Sequence, residues 1–281
     1  MVAISALEAQ VGRVCELPPL DLDRAVGEAL VVPSDLVTEY GEYQSGGWDT
    51  LSLYNDSGNP MDAKIRDCEA RETSVLERMP AMRRLLRSFG LRYMWVRIAR
   101  LRGNSFLWEH RDYGELAARE RHRLHIPLRT NRSAGLVLGG ARVHMTYGSV
   151  WRLDPTNPHG ACNMTGPDRL HVIMDCYGDD AFHRLARGMG LERDDVHWLP
   201  EPSKADLAEH LDNAVTLARL GYRRAAEHLL LRLYYRYAMP EGTTYDLIVD
   251  AYQRLDEPEQ AETWASRKAV MLGTETAEEP S

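Results

Sequence analysis

Between residues 93 and 177 the chain breaks into short runs of aliphatic and aromatic residues, each closed by turn-forming pairs. This punctuation limits the folds open to it. Residues 93–101 read YMWVRIARL, and the runs 106–112, 123–128, 134–138, 142–145, 150–153 and 170–175 follow as further strands. Gly103-Asn104, Gly139-Gly140, Gly148-Ser149, Asp154-Pro155 and Gly166-Pro167 mark the gaps. Short strands at this spacing predict a sandwich or jelly-roll barrel, since alternating β-α units need long helical crossovers that the gaps cannot hold. One short helix, 79–89, precedes them and is stopped by Gly90.

The flanks differ from this centre. Residues 1–78 are mixed: a short apolar piece at 11–17, a helix-like stretch at 22–31 after Pro19, then EYGEYQSGGWDTLSLYNDSG. The last alternates apolar and polar residues around Trp48, Leu51 and Leu53 and ends in Asn55-Asp56-Ser57-Gly58, which predicts a strand or hairpin arm. From Pro202 onward, apolar residues recur at helical spacing over 204–220, 222–237, 244–254 and 257–272. Two helix pairs fall short of a free-standing repeat array, so they are expected to pack on the barrel. The expected organisation is an N-terminal α/β arm (1–78), a mainly β core (79–192) and a C-terminal α-helical domain (193–281) ending in a disordered polar tail, TETAEEPS.

Charge excludes some functions. A formal net charge of −8 with no basic tract gives no electrostatic footprint for nucleic acid or an anionic membrane. No apolar run approaches the roughly 18 residues needed to cross a bilayer, and MVAISALEAQ lacks the features of a secretory signal. Cys15, Cys68, Cys162 and Cys176 are widely spaced, without a C-x-x-C pair, which fits a reducing cytoplasm.

Six of the ten histidines lie between residues 110 and 171, less than a quarter of the chain. Within that stretch His110-Arg111-Asp112 is the sharpest feature. In an extended chain, residues two apart share a face, so His110 and Asp112 project together while Arg111 points away. An imidazole and a carboxylate supply two metal ligands; alone, the pair is a weak signal. His159, in LDPTNPHGACN, is the candidate third. Two histidines and one carboxylate form the facial triad that holds Fe(II) and leaves positions open. Arg169 opens RLHVIMD ten residues further on, where a guanidinium could grip one end of a carboxylate ligand whose other end chelates the metal.

The runs SFLWEHRDYG, RHRLHIPL, GSVWRLDPTNPHGACN and PDRLHVIMD together resemble the aspartyl/asparaginyl β-hydroxylase family of Fe(II)/2-oxoglutarate-dependent oxygenases, in particular its bacterial hydroxylases of free proline. EYGEYQSGGW…LYNDSG and TYDLI extend the likeness over roughly the whole chain. The resemblance implies a double-stranded β-helix (jelly-roll, cupin-like) core, with Fe(II), 2-oxoglutarate and O2 as cofactor and cosubstrates. It implies His110, Asp112 and His159 as iron ligands and Arg169 as the 2-oxoglutarate anchor. His125 would hydrogen-bond the keto acid, and Arg123 would receive a carboxylate of cosubstrate or substrate. The animal peptide-hydroxylating members have a small residue where Asp112 stands; its retention here argues for the full triad and against halogenation.

The expected substrate is a free L-amino acid, proline-like or otherwise small, in natural-product biosynthesis, with a dipeptide or carrier-linked aminoacyl group as the alternative. Arg100 and Trp108 are the further candidates for substrate contact; Arg97 and Arg102 share Arg100's strand, and Trp108 reads equally as packing. An acidic residue of the N-terminal arm would accept from the substrate ammonium. His122, His171 and Cys162 read as core or surface residues and His144 as an indirect contributor. A non-catalytic jelly-roll binding protein would make the four matched positions a coincidence. A zinc hydrolase would leave Arg169 without a task. A homodimer stays open.

Overall fold

The computed structural model describes residues 4–31, 37–38, 44–112, 120–188 and 190–273. The chain begins with α1 (Ile4–Glu8), β1 (Val11–Glu16) and α2 (Pro19–Val31), then β2 (Val37–Thr38), β3 (Trp48–Asn55), β4 (Arg71–Glu72), α3 (Ser74–Glu77) and α4 (Pro80–Ser88). The strands β5 (Tyr93–Leu101), β6 (Ser105–Phe106), β7 (Arg121–Arg129), β8 (Ala134–Leu138), β9 (Ala141–Val143), β10 (Ser149–Leu153), β11 (His159–Asn163) and β12 (Arg169–Tyr177) follow. After α5 (Asp180–Leu185) and β13 (Val196–Trp198), four helices complete the described chain: α6 (Lys204–Arg219), α7 (Arg223–Leu231), α8 (Thr243–Arg254) and α9 (Pro258–Leu272).

Two sheets form. The main one has the order β1-β10-β7-β12-β5-β3-β2, with β4 beside β3, and the minor one β13-β9-β8-β11-β6. From β5 to β12 the chain passes back and forth between them, and every pairing is antiparallel. That winding, β10-β7-β12-β5 facing β9-β8-β11-β6, is a jelly roll.

Each sheet has two unlike faces. One face of the main sheet is aliphatic: Val96, Ile98, Leu124, Ile126, Val172 and Met174 pack with Leu22 and Ala25 of α2 and Met82, Leu85 and Leu86 of α4. The alternate residues, including Arg97, Arg123, His125, Arg169 and Asp175, are buried on the other face, towards the minor sheet. The minor sheet turns Phe106, Val137 and Cys162 to the C-terminal helices, where Leu211, Leu230, Tyr245 and Trp264 close a separate apolar core. The site therefore lies between two sheets that are both backed by helices.

Residues 1–78, expected to pack on the core as an arm, supply strands of the main sheet: β1 pairs with β10 and β3 with β5. The expected strand 106–112 keeps ladder pairing only at its start: Leu107 and His110 still bond to β11, whereas Arg111 and Asp112 turn their N–H groups to Met271 and Pro155. Conversely, His159 opens a strand although it follows a Pro-rich turn. The stretch 222–237 is helical to Leu231 and then tightens into a 3₁₀ turn to Tyr235. The tail at 274–281 and the beginning of the Tyr/Gly/Trp segment, 39–43, lie outside the described residues. Among the described residues no helix is long and apolar enough to cross a membrane.

Helix α4 has Pro80 in its first turn and no side-chain cap from its own Met79. Glu28 of α2 supplies the missing acceptor: its carboxylate takes the backbone N–H groups of Ala81 and Met82 at 2.8 and 2.9 Å. Glu28→Ala should remove both bonds and cost about 1 kcal/mol, the usual worth of an N-cap. Urea unfolding monitored by circular dichroism reads the change as a lower midpoint at constant slope.

Candidate active site

The two histidines meet through the backbone. Beyond β6, His110 forms a single antiparallel bridge with His159 at the start of β11, with N–H···O distances of 2.9 Å in both directions. Directly opposed residues point to one face, so the rings lie with centroids 4.4 Å apart. Asp112, two residues on, falls on the same side, held by its N–H to the Pro155 carbonyl at 2.9 Å. One ligand atom from each of His110, Asp112 and His159 lies within 4.8 Å of the others. No other group of this kind occurs among the described residues.

Hydrogen bonds decide which ring nitrogens face inward. Nδ1 of His110 is 2.7 Å from the Trp108 carbonyl, and Nδ1 of His159 is 2.9 Å from the Asn157 carbonyl. A carbonyl only accepts, so Nδ1 carries a hydrogen, which in the neutral ring leaves the Nε2 lone pair for a metal. The Nε2 atoms lie 3.7 Å (His110) and 3.5 Å (His159) from Asp112 carboxylate oxygens. Burial, helped by the neighbouring His159, pushes His110 down to about 4 and keeps it neutral. Burial opposes ionisation of Asp112, but the Arg123 guanidinium outweighs it, and the carboxyl is held well below its usual range. Two Nε2 atoms and a carboxylate thus converge, a donor set that a cation completes. The donor set fits Fe(II) with three coordination positions open.

A cavity of 270 Å³ adjoins these ligands, lined among others by Trp48, Arg97, Arg123, His125, Arg169 and Met271. Arg169, on the first residue of β12, is 3% exposed. Its Nε and Nη2 lie 3.1 and 2.9 Å from the ring nitrogens of His171, and its Nη1 has no partner. Among the described residues no carboxylate pairs with it, and burial lowers it to about 10. Both nitrogens of the buried His125 are also without partners. A buried guanidinium lacking a counter-charge beside an unsatisfied imidazole is costly unless an anion arrives.

The third cationic feature is a chain of ion pairs. Asp175, 1% exposed, receives Arg97 at 2.7 Å and Arg123 at 2.8 Å on separate oxygens. Arg123 also pairs with Asp112, so it spans from the β12 carboxylate to the ligand triad. Arg97 is stacked over Trp95, its guanidinium carbon 3.6 Å from the ring centroid.

Of the sequence candidates, His110, Asp112, His159, Arg123, His125 and Arg169 surround the one cavity. Arg100 and Trp108 are not among its lining residues. Arg100 pairs with Asp49 at 2.8 Å on the opposite face of the main sheet, and Trp108 packs on Trp264 with centroids 5.0 Å apart. Register explains the choice of arginine: Arg169 pairs with Leu101, so the β5 residues sharing its face are Leu101, Ala99 and Arg97. His144 points its Nδ1 at the Ala134 carbonyl, 3.0 Å away, and Cys162 is a buried thiol pushed up to about 11 by burial. Sequence reasoning passed over Asp175, Val270 and Met271. Asp175 looked like a strand end, and nothing local marks the other two.

A model of the aspartyl/asparaginyl beta-hydroxylase family matches residues 22–178. An L-proline cis-4-hydroxylase of Rhizobium meliloti (strain 1021) is 24% identical over 249 residues, 85% of this chain and 88% of that protein. An L-proline cis-3-hydroxylase of a Streptomyces species is 30% identical over 179 residues, 61% of each chain. Among solved structures, a 2OG-Fe(II) oxygenase family oxidoreductase from Burkholderia pseudomallei aligns at 16% identity and a TM-score of 0.42, covering 62% of this chain and 87% of that one. The chain belongs to the aspartyl/asparaginyl β-hydroxylase family and is an enzyme of the Fe(II)- and 2-oxoglutarate-dependent oxygenase class.

Asp175→Asn should leave two buried guanidiniums around a neutral amide, costing about 3–5 kcal/mol of stability. Burial raises the Asp175 carboxyl, but Arg123 and Arg97 outweigh it and the net shift is downward. Its stabilising effect is therefore present above the ordinary carboxyl value and lost as pH falls through the lower folded one. The gap between wild type and variant in denaturant melts should be full at pH 7 and close below about pH 4.

Proposed function

We propose that this enzyme hydroxylates an unactivated C–H of a free L-amino acid, proline or another small one, in natural-product biosynthesis. The observation that carries this reading is the buried Arg169 and His125, polar and unsatisfied, in the same cavity as the His-Asp-His cluster. In this assignment His110, Asp112 and His159 hold Fe(II) through two Nε2 atoms and a carboxylate oxygen. Arg169 fixes the distal carboxylate of 2-oxoglutarate by charge-assisted hydrogen bonds, with His125 beside it. When bound, iron and keto acid supply the chemistry that turns C–H into C–OH, with O2 consumed and succinate and carbon dioxide released.

The protein's own contribution is orientation and exclusion of water. Arg97 and Arg123, held by Asp175, form the cationic wall suited to an amino-acid carboxylate. Because Arg123 also pairs with Asp112, its loss would disturb the metal site together with substrate binding. From the N-terminal 78 residues, Trp48 is the described residue on the cavity wall; an acidic acceptor for the ammonium from residues 39–43 would lie outside the described residues. The cavity's 270 Å³ lies just below the usual range of ligand pockets, roughly 300–1,000 Å³. That size favours a free small amino acid over a dipeptide or carrier-linked group. The named L-proline hydroxylases among the relatives support the same choice.

A succinate-release screen over free amino acids, with the product hydroxyl located by NMR, tests the proposal. Stimulated succinate formation with a proline-like substrate is expected; none with any free amino acid would refute it. In the same assay Arg169→Gln should raise the 2-oxoglutarate KM by about 100-fold, since hydrogen bonds to charged groups contribute about 1.5–3 kcal/mol each. Fe(II) affinity in the absence of keto acid should stay at the wild-type value.

A further inference from the structure

The segment that carries His110 and Asp112 is not held by the sheets alone. After β6 ends at Phe106 its inner partners are Ala161 and His159 of β11. Gln44 bridges Leu107, and the carbonyls of Pro155 and Thr156 accept from the Asp112 N–H and the Arg111 guanidinium; a further set of contacts comes from the C-terminal helical region. The Tyr235 hydroxyl donates to the carbonyls of Leu107 and Ala161. The Tyr245 hydroxyl donates to the Glu109 carbonyl at 2.6 Å, on the peptide that leads into His110. The Glu109 carboxylate, on a residue only 3% exposed, accepts the Gly242 N–H at 3.0 Å. Arg111, between the two ligands, donates its N–H to the Met271 carbonyl at 2.8 Å and its guanidinium to both oxygens of Glu241 at 3.1 and 2.8 Å. Gly160, next to His159, leaves room for this packing: a Cβ there would come within 2.4 Å of the Tyr235 hydroxyl oxygen.

These contacts alternate with the ligands. His110 and Asp112 line the cavity and Glu109 does not; Arg111 borders the cavity too, but its guanidinium turns to Glu241 and the Glu109 carboxylate to Gly242. Beyond Leu107 the segment keeps a single bridge to the sheets, at His110, so bonds from outside the sheets bear on its position. We propose that the C-terminal helices are a positioning element of the oxygenase site, with Tyr245, Glu241 and the Met271 carbonyl fixing the His110–Asp112 segment so that metal affinity depends on them. This rests on the reading of His110, Asp112 and His159 as the metal ligands.

The test uses the full-length protein and Co(II), an air-stable probe, titrated by calorimetry without keto acid, alongside apo-protein melting curves. Tyr245→Phe and Glu241→Gln should each weaken Co(II) binding by about 10-fold, at the low end of what supporting partners of metal ligands contribute. Asp212→Asn breaks an exposed ion pair to Arg254 within the same helices and should bind Co(II) as wild type does. Wild-type affinity in folded Tyr245→Phe and Glu241→Gln would overturn the proposal, as would an equal loss in Asp212→Asn. If Tyr245→Phe does not fold, Glu241→Gln decides alone, because its side chain is 38% exposed. Failure of the wild type to bind Co(II) would refute the metal-site reading itself, a result distinct from the others.

Discussion

Buried charge within the jelly roll governs the arrangement of the site. Among the described residues, three guanidiniums (Arg97, Arg123 and Arg169) face two carboxylates (Asp112 and Asp175) in a space shielded by helices on both outer sides. Buried charge of this kind is costly unless it is paired, so geometry must supply the partners. Asp175 answers two of the cations, and Arg123 reaches on to Asp112. Arg169 is left over, with an imidazole in place of an acid. A ferrous ion would add two positive charges to the space, and a doubly ionised keto acid would cancel them. What the leftover Arg169 favours is therefore the anionic cosubstrate, whose distal carboxylate would meet the guanidinium while the rest of its charge offsets the metal's.

Parts of this were legible in the sequence because they obey strand parity. His110 and Asp112 are two apart, and Arg169 opens a strand of alternating character, so their faces could be read from spacing. Parity says which residues share a face but not which face looks inward. That choice separates Arg97 from Arg100 and depends on β5 pairing with β12 through Leu101 and Arg169. Trp108 was ambiguous for a related reason: its partner Trp264 lies far along the chain, and no local pattern joins them.

The boundaries of the elements show the same division. Repeated apolar spacing marked α6, α8 and α9 closely, and Gly-rich turns marked β8 and β10. The stretch after Phe106 resembled a strand but makes a mixture of single bridges and side-chain contacts. Only tertiary structure decides such a case, because the extended backbone is the same and the partners differ. The resemblance to proline hydroxylases supplied roles for His125 and Arg123 that residue chemistry alone left open.

The walls of the cavity are drawn from very different points along the chain, from Trp48 in β3 to Met271 in the last turn of α9. Chains are made from the N-terminus, and their early portions begin to fold first. The β strands can therefore associate while α9 has yet to leave the ribosome. The pocket acquires its final wall only when that helix docks. A nascent chain that still lacks α9 would consequently hold His110, Asp112 and His159 beside a pocket open on the side that Val270 and Met271 later cover.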